Sequence, residues 1–218
     1  YRFKIGMRLM ELGLGSFDEM LAVARDIGVE SVWFNRLPGV SRVARLSDAE
    51  WDEVAGKVSR SGLAISVISP EIPFKKLHLT ELELDTFGNH PVYRQHLDDL
   101  VRTMQIAVRL GIGAVNLHSF AWPGEYSAGK PTWPMRWHTG GGVIAEADME
   151  KLTAMLSPAV DAAERHGVDL VFSQEPWIYT NTTVNFRRVA ERLRSSRVKV
   201  MWTPADNLNC GEPQVETA

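Results

Sequence analysis

With 218 residues, 44% of them hydrophobic and 23% charged, the chain can bury one large core, and a single domain spanning residues 1–218 is expected. A formal net charge of -3 supplies no basic field for a phosphate backbone, which argues against a nucleic-acid partner. The lone Cys210 excludes an internal disulfide and fits a reducing compartment; no apolar run approaches a membrane span and no signal-peptide pattern opens the chain, so a cytoplasmic protein with no membrane partner is expected.

The first apolar run, Phe3 to Met7, reads as a strand. A helix from Phe17 to Ile27 follows, opened by Ser16 and Glu19 at capping-box spacing and stopped at Gly28, and it feeds the strand Ser31 to Phe34. The pattern repeats: a helix from Glu50 to Ser61 behind the Ser47/Glu50 pair stops at Gly62 and feeds Ala64 to Ile68. A helix from about Val92 to Leu110 ends at Gly111 and Gly113 before Ala114 to His118, and one from about Glu146 to His166 ends at Gly167 before Asp169 to Phe172. Asn181-Thr182 opens a further helix, running to about Ser195 with Val184, Val189 and Leu193 on one face, ahead of the strand Val198 to Trp202. Short β-branched runs alternating with helices of three or more turns argue for parallel βαβ units, whose crossover helices cover both faces of the sheet.

Two connections exceed ordinary βα loops, Pro70 to Asn89 and Ser119 to about Ala145. The second holds Gly124, Gly129, Gly140, Gly141 and Gly142 with Trp122, Trp133 and Trp137, and it reads as a lid or pocket wall, the alternative being that its indoles pin the loop to the rim. Trp33, Trp122, Trp133, Trp137, Trp177 and Trp202 all fall at strand ends or in adjoining loops, a composition suited to a small-molecule pocket.

Three segments, Val115-Asn116-Leu117-His118, Leu170-Val171-Phe172-Ser173-Gln174-Glu175-Pro176 and Met201-Trp202-Thr203-Pro204-Ala205-Asp206-Asn207, resemble the xylose-isomerase-like TIM-barrel superfamily, home of sugar phosphate isomerases and epimerases and of the apurinic endonucleases. The resemblance covers nearly the whole chain. It implies a (β/α)8 barrel with a divalent metal, manganese, magnesium or zinc, at the C-terminal mouth. The chain departs from the family pattern in three ways. Ser173-Gln174 stand where a metal-binding glutamate and an asparagine are usual; Thr203 stands where an aspartate is usual, with Asp206 at the asparagine position; and the sequence ends at Ala218, before the seventh and eighth strands that normally supply a histidine and a last glutamate. Six strands do not close an eight-stranded barrel. The expectation is a parallel (β/α) TIM-type barrel truncated after its sixth strand, favoured over a gap covered by another chain because Gly211-Glu212-Pro213-Gln214-Val215-Glu216 reads as a loop entering a further helix.

His118, at the end of its strand, reads as a general base or metal ligand, with a substrate-orienting or core-capping histidine as the alternative. Glu175 reads as the acid/base partner or a carboxylate ligand, shielded by Pro176 and Trp177, against a rim glutamate paired with an arginine. Asp206 could offer oxygen to a hard cation, although Asp-Asn after Pro-Ala is also ordinary turn chemistry. Glu11, Arg36 and Glu71 follow the first three strands and are expected to ring the same mouth as substrate-binding groups, with Trp122, Trp137 and Trp177 as walls. His78, His90, His96 and His166 are read as bland. By resemblance, the function expected is a sugar isomerase or epimerase that removes a proton beside a carbonyl with metal assistance. Lyase or deglycosidase chemistry on the same fold and a catalytically silent partner subunit, suggested by Ser173 and Thr203, remain as alternatives. An abasic-site nuclease is disfavoured for want of ligands and a basic face. Self-association is left open.

Overall fold

The computed structural model describes residues 4–40, 42–71, 74–122 and 143–212. In chain order the elements are β1 (Gly6–Arg8), α1 (Phe17–Asp26), β2 (Ser31–Phe34), α2 (Asp48–Arg60), β3 (Ala64–Ile68), α3 (Pro91–Leu110), β4 (Ala114–Leu117), α4 (Glu146–His166), β5 (Asp169–Ser173), α5 (Thr183–Leu193), β6 (Val198–Met201) and α6 (Pro204–Asn209). Neighbouring strands all pair in parallel, in the order β1-β2-β3-β4-β5-β6. This is the parallel TIM-type arrangement expected from the alternation of helices and β-branched runs. Parallel pairing through helical crossovers brings every strand's C-terminal end to one rim. Among the described residues, no helix is long and apolar enough to cross a membrane.

Local chemistry explains the element ends, including those that differ from the sequence reading. Ser47 and Glu50 form the full reciprocal capping box, so α2 starts at Asp48 rather than Glu50, whereas Ser16 accepts from the Glu19 amide at 3.2 Å. His90 caps α3 by accepting from the Tyr93 amide, with Pro91 in the first turn, a start that the sequence reading misses. Thr182 caps α5, which begins at Thr183 rather than Asn181. That helix ends on Arg194 at φ 51 instead of on a glycine. The first strand is shifted to Gly6–Arg8, and Phe3 and the helix expected beyond Pro213 lie outside the described residues. Pro204-Ala205-Asp206-Asn207 forms the first turns of the short α6 instead of an isolated turn.

The core lies between sheet and helices, with Phe34, Val115, Leu117, Leu170 and Phe172 buried from the strands and Trp51, Met104, Met155 and Leu156 from the helices. Trp51 stacks on Phe34 at 5.9 Å and donates its indole N–H to Val43 O.

Above the strands, three loops are stitched together. Ala121 N donates to Leu77 O, Tyr179 N to Phe120 O, and Trp122 N to Trp177 O, so the segments after β3, β4 and β5 form small bridges across the rim. Beneath them Asn116 acts as a hub: its Nδ2 donates to Val171 O and to Ser173 Oγ, both at 2.9 Å, while its Oδ1 accepts from Ser69 Oγ. Asn116→Ala strands these buried partners and should cost about 2–3 kcal/mol in urea unfolding; a loss under about 0.5 kcal/mol would show the hub to be dispensable.

Candidate functional site

His118 is the first residue past β4, and Glu175 lies two residues past β5, the strand paired with β4 from Ala114↔Asp169 to Leu117↔Phe172. A buried hydroxyl network locks the two strand ends. Ser119 Oγ lies 2.9 Å from Thr180 Oγ1 and accepts from Thr180 N, and Thr180 Oγ1 donates to Ser173 O. The side chains meet across this junction, His118 Nε2 standing 3.3 Å from Glu175 Oε1.

The other carboxylate oxygen, Glu175 Oε2, is 2.5 Å from Lys75 Nζ, whose ammonium lies 4.7 Å above the Trp177 ring. Lys75 is only 14% exposed and Glu175 19%. Lys75 owes its position to Phe74, a fully buried residue at φ 64, a left-handed conformation that costs a bulky L-residue about 1–2 kcal/mol. Packing offsets that strain: Phe74 stacks on Phe120 at 4.9 Å and Tyr93 at 5.2 Å, and its amide donates to His96 Nδ1 at 3.0 Å. Burial lowers the His96 pKa, keeping its ring neutral and able to accept. Neither His90 nor His96 is therefore bland.

Electrostatics assigns protonation states. Burial lowers the pKa of His118 and outweighs the pull of Glu175, so the imidazole is neutral near neutral pH. A carboxylate only accepts, which assigns the imidazole proton to Nε2 and leaves the lone pair on Nδ1, an atom buried without a hydrogen-bond partner among the described residues. Burial works to raise Glu175, but His118 and Lys75 together prevail and hold it at about 2, an anion. Asp206, in α6 beyond β6, goes the other way: burial first and the charge of Glu175 second raise it to about 6, against partial relief from Lys75. Its folded pKa exceeds the unfolded value of 3.8, so wild-type stability falls as pH rises from about 4 to about 6. Asp206→Asn should accordingly be more stable than wild type at pH 8 by about 1 kcal/mol, after discount for partial solvation, and equal to it near pH 4. Thermal unfolding at the two pH values checks this, and a pH-independent difference would contradict it.

The other residues expected at the mouth divide. Trp177 lies under Lys75, and Trp122 stacks on Tyr179 at 4.0 Å with its indole Nε1 buried and unpartnered among the described residues. Glu11 is exposed and pairs at 3.0 Å with Arg8, whose guanidinium lies over Trp33 and whose charge acts on His118. Arg36 is exposed past β2 and makes no described contact with His118 or Glu175. Glu71 leaves the expected ring: it lines a separate cavity of about 290 Å³ with Arg42, Lys76, His96 and Asp99. Its backbone adopts a positive φ of 36 just after Ser69-Pro70. Trp137, with Trp133 and His138, lies outside the described residues. Lys75 and Arg8, the cations of the site among the described residues, escape the sequence reading. The only signal for Lys75 was its place in a long loop, where a Lys-Lys pair reads as solvated charge.

The divalent metal implied by resemblance does not fit these residues. Among the described residues no group of three or more His, Cys, Asp or Glu converges as a metal shell. Ser173 Oγ and Thr203 Oγ1 stand at two of the positions where the resemblance implies metal ligands; the first accepts from Asn116 and faces Met201 Sδ at 4.0 Å, and the second donates to Met201 O. Glu175 is already neutralised by an ammonium. A dication about 4 Å from that ammonium would be repelled by roughly 8 kcal/mol at an effective dielectric near 20. Hydroxyls offer no anionic charge to offset this or the ion's lost hydration.

A model of the xylose isomerase-like TIM barrel family matches residues 21–214. No match is found among curated proteins. Of the solved structures, a xylose isomerase-like TIM barrel protein from Mycobacterium smegmatis in complex with magnesium superposes with a TM-score of 0.61 at 17% identity, over 91% of this chain and 63% of that one. The 3-keto-D-glucoside 4-epimerase of E. coli gives 0.61 at 15% identity, over 91% and 67%. The probable 3-DHS dehydratase of Bacillus anthracis gives 0.68 at 10% identity, over 99% and 68%. Identities this low establish a shared fold, and the chain spans less than two thirds of the length of the first of these relatives.

Proposed function

Because the chain belongs to the xylose isomerase-like TIM barrel family, we propose that it is an enzyme that removes a proton from the carbon beside a carbonyl in a sugar or related polyol. The observation that carries this reading is the buried His118–Glu175 pair with an unpartnered Nδ1. In it, neutral His118 takes the α-proton on Nδ1. Glu175, accepting from Nε2–H, fixes the tautomer and stabilises the imidazolium that forms, as the acid of a catalytic triad does. The electron pair released from carbon moves to the carbonyl oxygen, giving an enediolate.

Asp206, whose pKa burial and the charge of Glu175 raise to about 6, is the candidate for the second proton carrier. Returning a proton to the neighbouring carbon gives isomerisation; returning it to the same carbon from the other face gives epimerisation; protonating a departing β-hydroxyl gives dehydration. Epimerisation and dehydration are the activities named for two structural relatives. Trp122 and Trp177 supply apolar walls suited to a sugar face, with the Trp122 indole N–H as a donor to a hydroxyl.

Proton transfer within this reading uses the chain's own groups and no metal-borne step, since the described donors do not fit a dication. The competing reading is a catalytically silent subunit of the same fold, favoured by the neutral Ser173 and Thr203. A panel of ketoses, aldoses and keto-sugars, incubated with the protein and resolved by NMR, separates the two. Conversion of at least one sugar by wild type, lost on His118→Asn, is expected. No conversion across the panel, or full activity in the variant, would contradict the enzymatic reading.

A further inference from the structure

We propose that the Lys75 ammonium is the resident cation of this site, standing in for a divalent metal and binding the substrate oxygen on which negative charge gathers. The proposal rests on the proton-transfer reading for its catalytic half and on geometry alone for its electrostatic half. Lys75 Nζ is held 2.5 Å from Glu175 Oε2 and 4.7 Å above Trp177, in a largely enclosed setting. It is held there by structure: the adjacent Phe74 is locked among Tyr93, Phe120 and His96. The hydroxyls at the usual metal-ligand positions, Ser173 and Thr203, are committed to Asn116, Met201 Sδ and Met201 O. An anion-rich shell is thus absent among the described residues, and a monovalent cation with its own counter-ion takes its place.

Chemically the substitution is coherent. An ammonium has three N–H donors; Glu175 takes one and the Trp177 face lies beside the group, which leaves a donor for a ligand. When the α-proton moves from carbon to His118 Nδ1, the C–H electron pair forms the enediolate C=C and the carbonyl π pair becomes a lone pair on oxygen. That oxygen receives a charge-assisted hydrogen bond from Lys75, which keeps its proton throughout. No oxidant or co-reactant is required. The ligand class is a polyhydroxy ketone or aldehyde whose carbonyl oxygen sits on the ammonium.

The test begins without a substrate. Full-length protein stripped with EDTA is titrated with manganese(II) chloride and free metal is read by EPR. Wild type should bind weakly, with Kd above about 1 mM, a range in which a site lacking several carboxylates falls. Lys75→Met, which bares Glu175, should bind at least about tenfold more tightly, whereas Lys75→Arg, which keeps the charge, and Lys76→Met, whose side chain belongs to the neighbouring cavity, should match wild type. Stoichiometric micromolar binding by wild type, or no gain in folded Lys75→Met, overturns the proposal; if Lys75→Met does not fold, the wild-type and Lys75→Arg titrations decide it.

The second arm uses any sugar converted in the panel. Turnover by wild type should be unaffected by EDTA, and Lys75→Met should lose about 100-fold in kcat with KM within about threefold. Loss of activity in EDTA with recovery on manganese, or unchanged kcat in Lys75→Met, overturns it. Absence of any turnover sinks the enzymatic reading, and with it the catalytic half of this proposal, while the manganese titration still decides whether Lys75 holds the cation's place.

Discussion

Glu175→Gln should lower kcat by about a thousandfold on any sugar that the wild type converts, because glutamine neither stabilises an imidazolium nor enforces the Nε2–H tautomer of His118. The same change leaves the Lys75 ammonium largely buried without its counter-ion, at a cost on the order of 3 kcal/mol in stability at neutral pH. The sign of the pH dependence follows from the depressed pKa of Glu175. Its stabilising contribution is present above the usual value of 4.5 and is lost as pH falls toward about 2, so wild type and variant should converge in that acid range. Steady-state kinetics and urea unfolding between pH 3 and pH 7 check both halves. Activity within tenfold of wild type would remove Glu175 from the mechanism, by the usual size of acid/base effects of about 100-fold or more.

The second large effect falls on Phe74. Phe74→Ala removes a fully buried ring from the stack with Tyr93 and Phe120 and should cost about 3–5 kcal/mol, only partly offset by relief of the left-handed backbone. Phe74→Leu, which keeps most of the apolar volume, should cost about 1–2 kcal/mol less than that. Because Phe74 sets the position of Lys75, the alanine variant should also lose the cation over the indole, read as a change in Trp177 fluorescence in the folded protein. Unchanged stability in Phe74→Ala would show that the loop is held elsewhere.

How much of this was legible in the sequence depended on range. The strands and helices were readable because each is announced within a few residues: Ser47/Glu50 opens α2, Gly28, Gly62, Gly111 and Gly167 close helices, and β-branched runs follow. Element ends without such punctuation were missed or shifted, as at His90, where an imidazole serves as cap, and at Arg194, where a non-glycine residue turns left-handed. His118 and Glu175 could be singled out because both follow strand ends, and parallel pairing gathers strand ends on one rim. Lys75 could not. Its pairing with Glu175 joins residues a hundred apart through a loop whose course is set by one aromatic residue at positive φ, and no local period records that. Glu71, at φ 36 in the same loop, lines the neighbouring cavity, and no local period records that placement either.

The central claim is that His118 moves a proton from carbon, with Glu175 behind it. The most direct measurement is proton NMR of the converting sugar in heavy water with EDTA present, using wild type and His118→Asn. Wild type should replace one hydrogen with deuterium at the carbon beside the carbonyl at a rate at least equal to turnover, and the variant should show neither exchange nor product. An isomerised or epimerised product formed without deuterium at that carbon, or exchange that persists in His118→Asn, would contradict it.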